Sequence, residues 1–208
     1  LPIALSIVLI FSPLIAVGNI IPIDYETIKN EICENEILTL YFTSFTEFNE
    51  NSIVSPALKC IAIKGYVPTF KNGVFKNVPN LKFLDLSNNK ISAENLFIFG
   101  LEKLEKLSLA HNKISYISGK AIEKMSNLRY LNLSSNLLST FNFDMLNSVK
   151  SLEILVLDDN SLDNVPITAP LNITQLSVNR NNIRYLAINT FFHLQSLKNL
   201  SLSENKIE

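Results

Sequence analysis

Histidine and cysteine each occur only twice in the 208 residues, and that scarcity limits the chemistry available. His111 and His193 stand apart in the sequence and read as ordinary surface residues rather than ligands. No phosphate-binding glycine loop, H-E-x-x-H or G-x-S-x-G is present. The usual sequence signatures of nucleotide binding, zinc hydrolysis and serine hydrolysis are therefore missing. Net charge is −1 and the pI is about 6.2, so no overall basic excess draws nucleic acid or an acidic membrane. No Gly/Ser linker or low-complexity tract divides the chain. Asp158 and Asp159 are adjacent carboxylates, but no cluster of oxygen ligands surrounds them, so they read as an exposed acidic spot. These absences predict no catalytic residue, no cofactor and no metal site.

What the chain does have is a phrase, L-x-x-L-x-L-x-x-N-x-[IL], closed six times by Asn89, Asn112, Asn136, Asn160, Asn181 and Asn205. The spacings are 23, 24, 24, 21 and 24 residues. Self-similarity at such a period predicts a solenoid, in which each unit contacts only its neighbours. In the first clear unit Leu84 and Leu86 alternate with polar residues, which predicts a short strand with one buried face. Leu81 and Ile91 flank it and point into the same core. Asn89 falls where the chain turns away, and a buried turn leaves backbone groups that need partners. An amide side chain offers two donors and an acceptor, so stacked asparagines can satisfy the turns of adjacent repeats. Leu58, Ile61 and Ile63 form a degenerate first unit with Tyr66 in the asparagine place.

The second half of each unit shows no strand alternation and reads as a loop with a short helix or 3₁₀ turn. The unit after Asn160 is shorter and holds Pro166 and Pro170, which predicts an extended path there. The units resemble leucine-rich repeats of the 24-residue form found in animal extracellular proteins and Toll-like receptor ectodomains. The resemblance spans about residues 58–208. It implies an α/β, right-handed horseshoe solenoid, with a parallel sheet on the concave face and loops with short helical or 3₁₀ turns on the convex face.

Residues 1–18 are an apolar run ending in Ala16-x-Gly18, which reads as a signal peptide. A membrane anchor is the competing reading, since the run is close to spanning length. The run does not begin with Met and has no basic lead, so the N-terminus is expected to be incomplete. Residues 19–57 form a capping segment in which Leu38, Leu40 and Phe42 alternate with Thr39, Tyr41 and Thr43, predicting a strand. Cys33 and Cys60 are the only cysteines, and in a secreted chain they are expected to pair; two buried free thiols are the alternative. Residues 58–208 form the array, one degenerate and six clear repeats. Its last phrase has no polar cover, so the array is expected to continue or to be capped. Any membrane association would come through an anchor beyond residue 208.

The phrase also separates committed positions from available ones. On the concave face Tyr130, Ile154 and Val156 form an apolar group beside Asp158 and Asp159, predicted to be exposed and to contact a ligand. Three N-x-[ST] sequons, at Asn132, Asn172 and Asn199, are candidate glycosylation sites. A glycan at Asn132 would shield the centre of the concavity. The expected function is a secreted or cell-surface recognition module for a protein or glycoconjugate partner, with innate immunity or signalling implied by the resemblance. A structural adhesion or matrix protein is the alternative. An intracellular scaffold fits the leader, sequons and cysteines poorly, and an enzyme least of all.

Overall fold

Leucines at alternate positions form strands here because each turn of the chain offers them one continuous core. The computed structural model describes residues 32–33, 37–42, 48–49, 52–96, 98, 100–187 and 189–208. The expected signal peptide lies outside them. Eight parallel strands run in sequence order: β1 (Leu38–Phe42), β2 (Cys60–Gly65), β3 (Phe83–Asp85), β4 (Lys106–Ser108), β5 (Tyr130–Asn132), β6 (Ile154–Val156), β7 (Gln175–Ser177) and β8 (Asn199–Ser201). The register keeps the repeats aligned, so that Leu84, Leu107, Leu131, Leu155, Leu176 and Leu200 lie side by side. The strand leucines from β3 to β7 are buried in one cluster that runs from Phe48 to Leu194.

The asparagines act as the amide chemistry requires. Asn112 Nδ2 donates to Leu109 O and to Leu86 O of the preceding repeat, both at 3.0 Å. Its Oδ1 accepts from Ile91 N at 3.0 Å. Asn89, Asn136, Asn160, Asn181 and Asn205 repeat the pattern. The residue before each of them has positive φ: Asn88, His111, Ser135, Asp159, Arg180 and Glu204. That left-handed residue turns the chain off the strand and aims the amide inward.

The return segments differ as their sequences dictate. Ala93–Asn95 and Phe143–Ser148 are 3₁₀ turns, and Gly119–Ile122 is one turn of α-helix. Ser118 caps the α-turn by accepting from Lys120 N, and Asn142 caps the second 3₁₀ turn by accepting from Asp144 N. Residues 161–173, with Pro166 and Pro170, hold no helix, as expected.

The N-terminal segment joins the sheet itself. β1 pairs in parallel with β2 from Leu38↔Ile61 to Phe42↔Gly65; Thr43, part of the expected strand, lies outside the described residues. Gly65 ends this pairing with φ 123, and a Cβ there would sit 2.0 Å from Phe42 O. Only glycine fits such an approach. Cys33 and Cys60 are disulfide-bonded, with Cα atoms 5.9 Å apart.

A second, outer asparagine series escaped the sequence reading. Asn80, Asn127 and Asn172 each precede the first apolar residue of a unit. Their Nδ2 atoms donate to Pro56 O, Glu102 O and Lys150 O of the preceding repeats at 2.8, 3.0 and 3.1 Å. The recurrence was visible in the sequence, but it occurs in only alternate units.

Candidate recognition surface

Successive strands bring equivalent side chains into columns. The first strand position carries Cys60, Phe83, Lys106, Tyr130, Ile154, Gln175 and Asn199 in register. This is the face opposite the leucine core, and its apolar members were expected to be exposed. They are not: Tyr130, Ile154 and Val156 are 0 %, 4 % and 2 % exposed. They belong to a second apolar cluster with Ile32, Cys33, Cys60 and Phe83. A parallel sheet characteristically buries both faces, and this one follows that rule from β3 to β6. Lys106 is also buried, its Nζ 4.5 Å from the Tyr130 ring centroid and 5.4 Å from that of Phe83. An ammonium held against two aromatic faces is stabilised by their quadrupoles. Burial pushes the Tyr130 phenol well above its ordinary range.

The two carboxylates of the expected patch have separate roles. Asp158 is partly buried, and its Oδ1 accepts from Ser177 Oγ at 2.7 Å and from Asn179 N at 2.8 Å. It holds the turn of the next repeat. Asp159 is partly exposed and forms a two-bond pair with Arg180, whose Nη2 donates to Oδ2 at 2.7 Å. That bond holds the Asp159 carboxyl below its ordinary value and raises the guanidinium further. Arg180 also lies 3.5 Å from Glu204. The structure thus splits the expected cluster into a buried apolar floor and a charged edge.

The three sequons also separate. Asn132 is 7 % exposed, and its Oδ1 accepts from Ser134 N at 2.8 Å. Asn172 and Asn199 are exposed. Asn172 lies on the rim of a shallow flank depression lined by Glu105, Arg129, Lys150 and Glu153. Across that flank Lys82 pairs with Glu105, and Arg129 with Glu153. The alternation of charge along Lys82, Glu105, Arg129 and Glu153 is legible in the sequence, each residue standing just before its strand.

Among the described residues no group of three His, Cys, Asp or Glu side chains converges on a cation position. No described helix is long and apolar enough to cross a membrane.

Comparison with known proteins agrees with this geometry. The family described as leucine rich repeat matches residues 102–162, and a two-copy form of it matches residues 79–124. Osteomodulin from Rattus norvegicus is 34% identical over 139 residues, 65% of this chain and 32% of that protein. Keratocan from Homo sapiens is 34% identical over 103 residues, 49% of this chain and 29% of its own length. Leucine-rich repeat-containing G-protein coupled receptor 5 from Rattus norvegicus is 36% identical over 109 residues, 52% of this chain and 12% of the receptor. The chain therefore spans about a third or less of these relatives. Among solved structures, the TLR13–ssRNA13 complex superposes with a TM-score of 0.73 at 28% identity, over 83% of this chain and 25% of that one. Internalin C2 of Listeria monocytogenes superposes with a TM-score of 0.62 at 23% identity, over 82% of this chain and 73% of that one, which is a likeness of fold alone.

Proposed function

This chain is a leucine-rich repeat protein, and we propose that it serves as an extracellular recognition module that binds a protein or glycoconjugate and catalyses nothing. The observation that supports this most directly is the division of labour within each repeat. The strand leucines and ladder asparagines are spent on the core and the turns. The left-handed residues and those just beyond the ladder stand outward at regular intervals along one edge. Such an edge offers a rigid row of chemically varied side chains and no enclosed reaction site. In this reading Tyr130, Ile154 and Val156 form the apolar floor that fixes the sheet. Asp158 and Asp159 shape the rim, and only Asp159 of the five meets a partner.

The disulfide and the exposed sequons at Asn172 and Asn199 support an extracellular setting, since disulfides persist in oxidising compartments. The test is expression behind a functional leader in cultured animal cells. The reading expects an oxidised, glycosylated chain in the medium that binds cell surfaces or matrix saturably. Retention in the cytosol with reduced cysteines rejects it. Homophilic association in sedimentation equilibrium, with no binding to cells, would favour the structural adhesion role instead.

A further inference from the structure

The net charge of −1 conceals an uneven distribution. Residues 1–51 carry seven carboxylates and one lysine, residues 52–125 eleven lysines against five carboxylates, and residues 126–208 six basic and seven acidic residues. Several lysines of the first half are engaged: Lys64 with Asp85, Lys82 with Glu105, and Lys103 with Asn80 Oδ1. Others stand along the edge just beyond the asparagine ladder, where backbone bonds fix their order. Lys90 N donates to Val67 O, Lys113 N to Ile91 O and Leu137 N to Ile114 O, at 3.1, 2.9 and 2.9 Å. Tyr66, expected in the asparagine place, instead falls one position beyond it, because Val67 N donates to Asn89 Oδ1 as Ile91 N donates to Asn112 Oδ1. Tyr66, Lys90, Lys113 and Leu137 therefore follow one another at the strand spacing, about 5 Å per repeat. All four are exposed.

Beside this row stand the left-handed residues Asn88 and His111, and three residues past Lys113 comes Tyr116. Tyr66 and Tyr116 are each 53% exposed, and Lys90 Nζ lies 4.4 Å from the Tyr66 ring centroid. Among the described residues Lys90, His111 and Lys113 pair with no carboxylate. The carboxylate on this edge that His111 reaches electrostatically is Asp159, two repeats further, and Arg180 already holds it. Among the described residues the same edge is thus neutralised within itself over its later repeats and left cationic and aromatic over its earlier ones. Uncompensated charge of one sign in a row concentrates ligands of the opposite sign.

We propose that the edge formed by Tyr66, Lys90, His111, Lys113 and Tyr116 is a docking strip for a sulfated polysaccharide. The cations face sulfate groups, and the exposed tyrosine rings lie against the apolar faces of the sugar units. A shallow row with about one cation per repeat fits a linear polymer with charge at each unit better than a folded protein surface, which needs a desolvated apolar centre. This rests on the extracellular reading above and names the glycoconjugate class within it.

The probe is heparin, immobilised for surface plasmon resonance, with the full chain in solution. Saturable binding that weakens as salt rises is expected, because exposed charges are screened within a Debye length. Fully desulfated heparin should not bind. The Lys90→Glu/Lys113→Glu pair should weaken binding by about tenfold or more, and Tyr66→Ala by about threefold. Lys198→Glu, on the opposite flank, should leave binding unchanged. Thermal unfolding midpoints of these surface variants should match the parent, which separates lost contact from lost fold. The proposal is overturned if heparin does not bind, if the double variant binds as the parent does, or if single-stranded RNA or an acidic peptide of equal charge binds more tightly. Cell binding that survives heparinase treatment and the double substitution would leave the recognition module standing and remove only this strip.

Discussion

The ladder asparagine is the residue on which each repeat turns. Asn136 donates to Leu109 O, Leu133 O and Ser134 O, and accepts from Ile114 N. Asn136→Ala strands that buried N–H and the carbonyls together, at a cost of about 3 kcal/mol. Asn136→Asp should cost a similar amount, because a carboxylate cannot donate. Urea unfolding followed by circular dichroism measures both, and an unshifted midpoint would contradict the account. A second residue-scale prediction concerns acid. Asp159 has its folded-state pKa below the ordinary 3.8 because Arg180 bonds to it. A depressed carboxyl contributes stability that is fully present above the ordinary value and is lost as pH falls through the folded one. Both partners are partly exposed, so the contribution stays under about 1 kcal/mol. Midpoints of the parent and Asp159→Asn should therefore differ at neutral pH and converge below 3.8; a constant gap throughout argues against it. The ladder was readable in the sequence because it depends on backbone partners at fixed offsets. The pairing of Asp159 with Arg180 was not, because it joins residues one repeat apart whose left-handed geometry is set by the turn.

At the scale of the element, the short strands owe their existence to their neighbours. A three-residue strand such as Ile154–Val156 has no stability alone and persists through pairing on both sides and through the leucines beneath. Among the described residues the N-terminal strand Leu38–Phe42 has a neighbour on one side only, and it is held besides by the Cys33–Cys60 bond. Replacing both cysteines by serine should lower stability by roughly 3–4 kcal/mol for a loop of 27 residues. Hydrogen exchange should then show amides of Leu38–Phe42 losing protection ahead of those in Leu131–Leu157. Equal loss across the sheet would mean that the bond staples nothing local. The alternation Leu38, Leu40, Phe42 announced this strand, but not that it would join the parallel sheet in register with Ile61. That was decided by the tight passage at Gly65.

Over the whole molecule, burial decides which sites can carry a bulky group. Asn172 is exposed, with its Nδ2 donating to Lys150 O, whereas Asn132 lies within the fifth strand at 7 % exposure. In secreted protein, Asn172 should carry an N-glycan and Asn132 should not. Asn199, exposed on the eighth strand, should be modified as well. Peptide mapping after enzymatic deglycosylation reads each site separately, and an occupied Asn132 in folded protein would refute the assignment. The sequence by itself determined the period, the strand positions, the asparagine ladder and the extended return after Asn160, because each follows from local pattern and backbone hydrogen bonding, and its resemblance to leucine-rich repeats implied that the strands run parallel. It also named the one possible disulfide. Only the tertiary structure decided which outward positions are exposed. Strand alternation shows that Tyr130, Ile154 and Val156 turn away from the leucine core, but not what meets them on the other face. There they join Phe83 and the disulfide in a second cluster, because apolar side chains on either face of a sheet gain by leaving water whichever segment completes their enclosure.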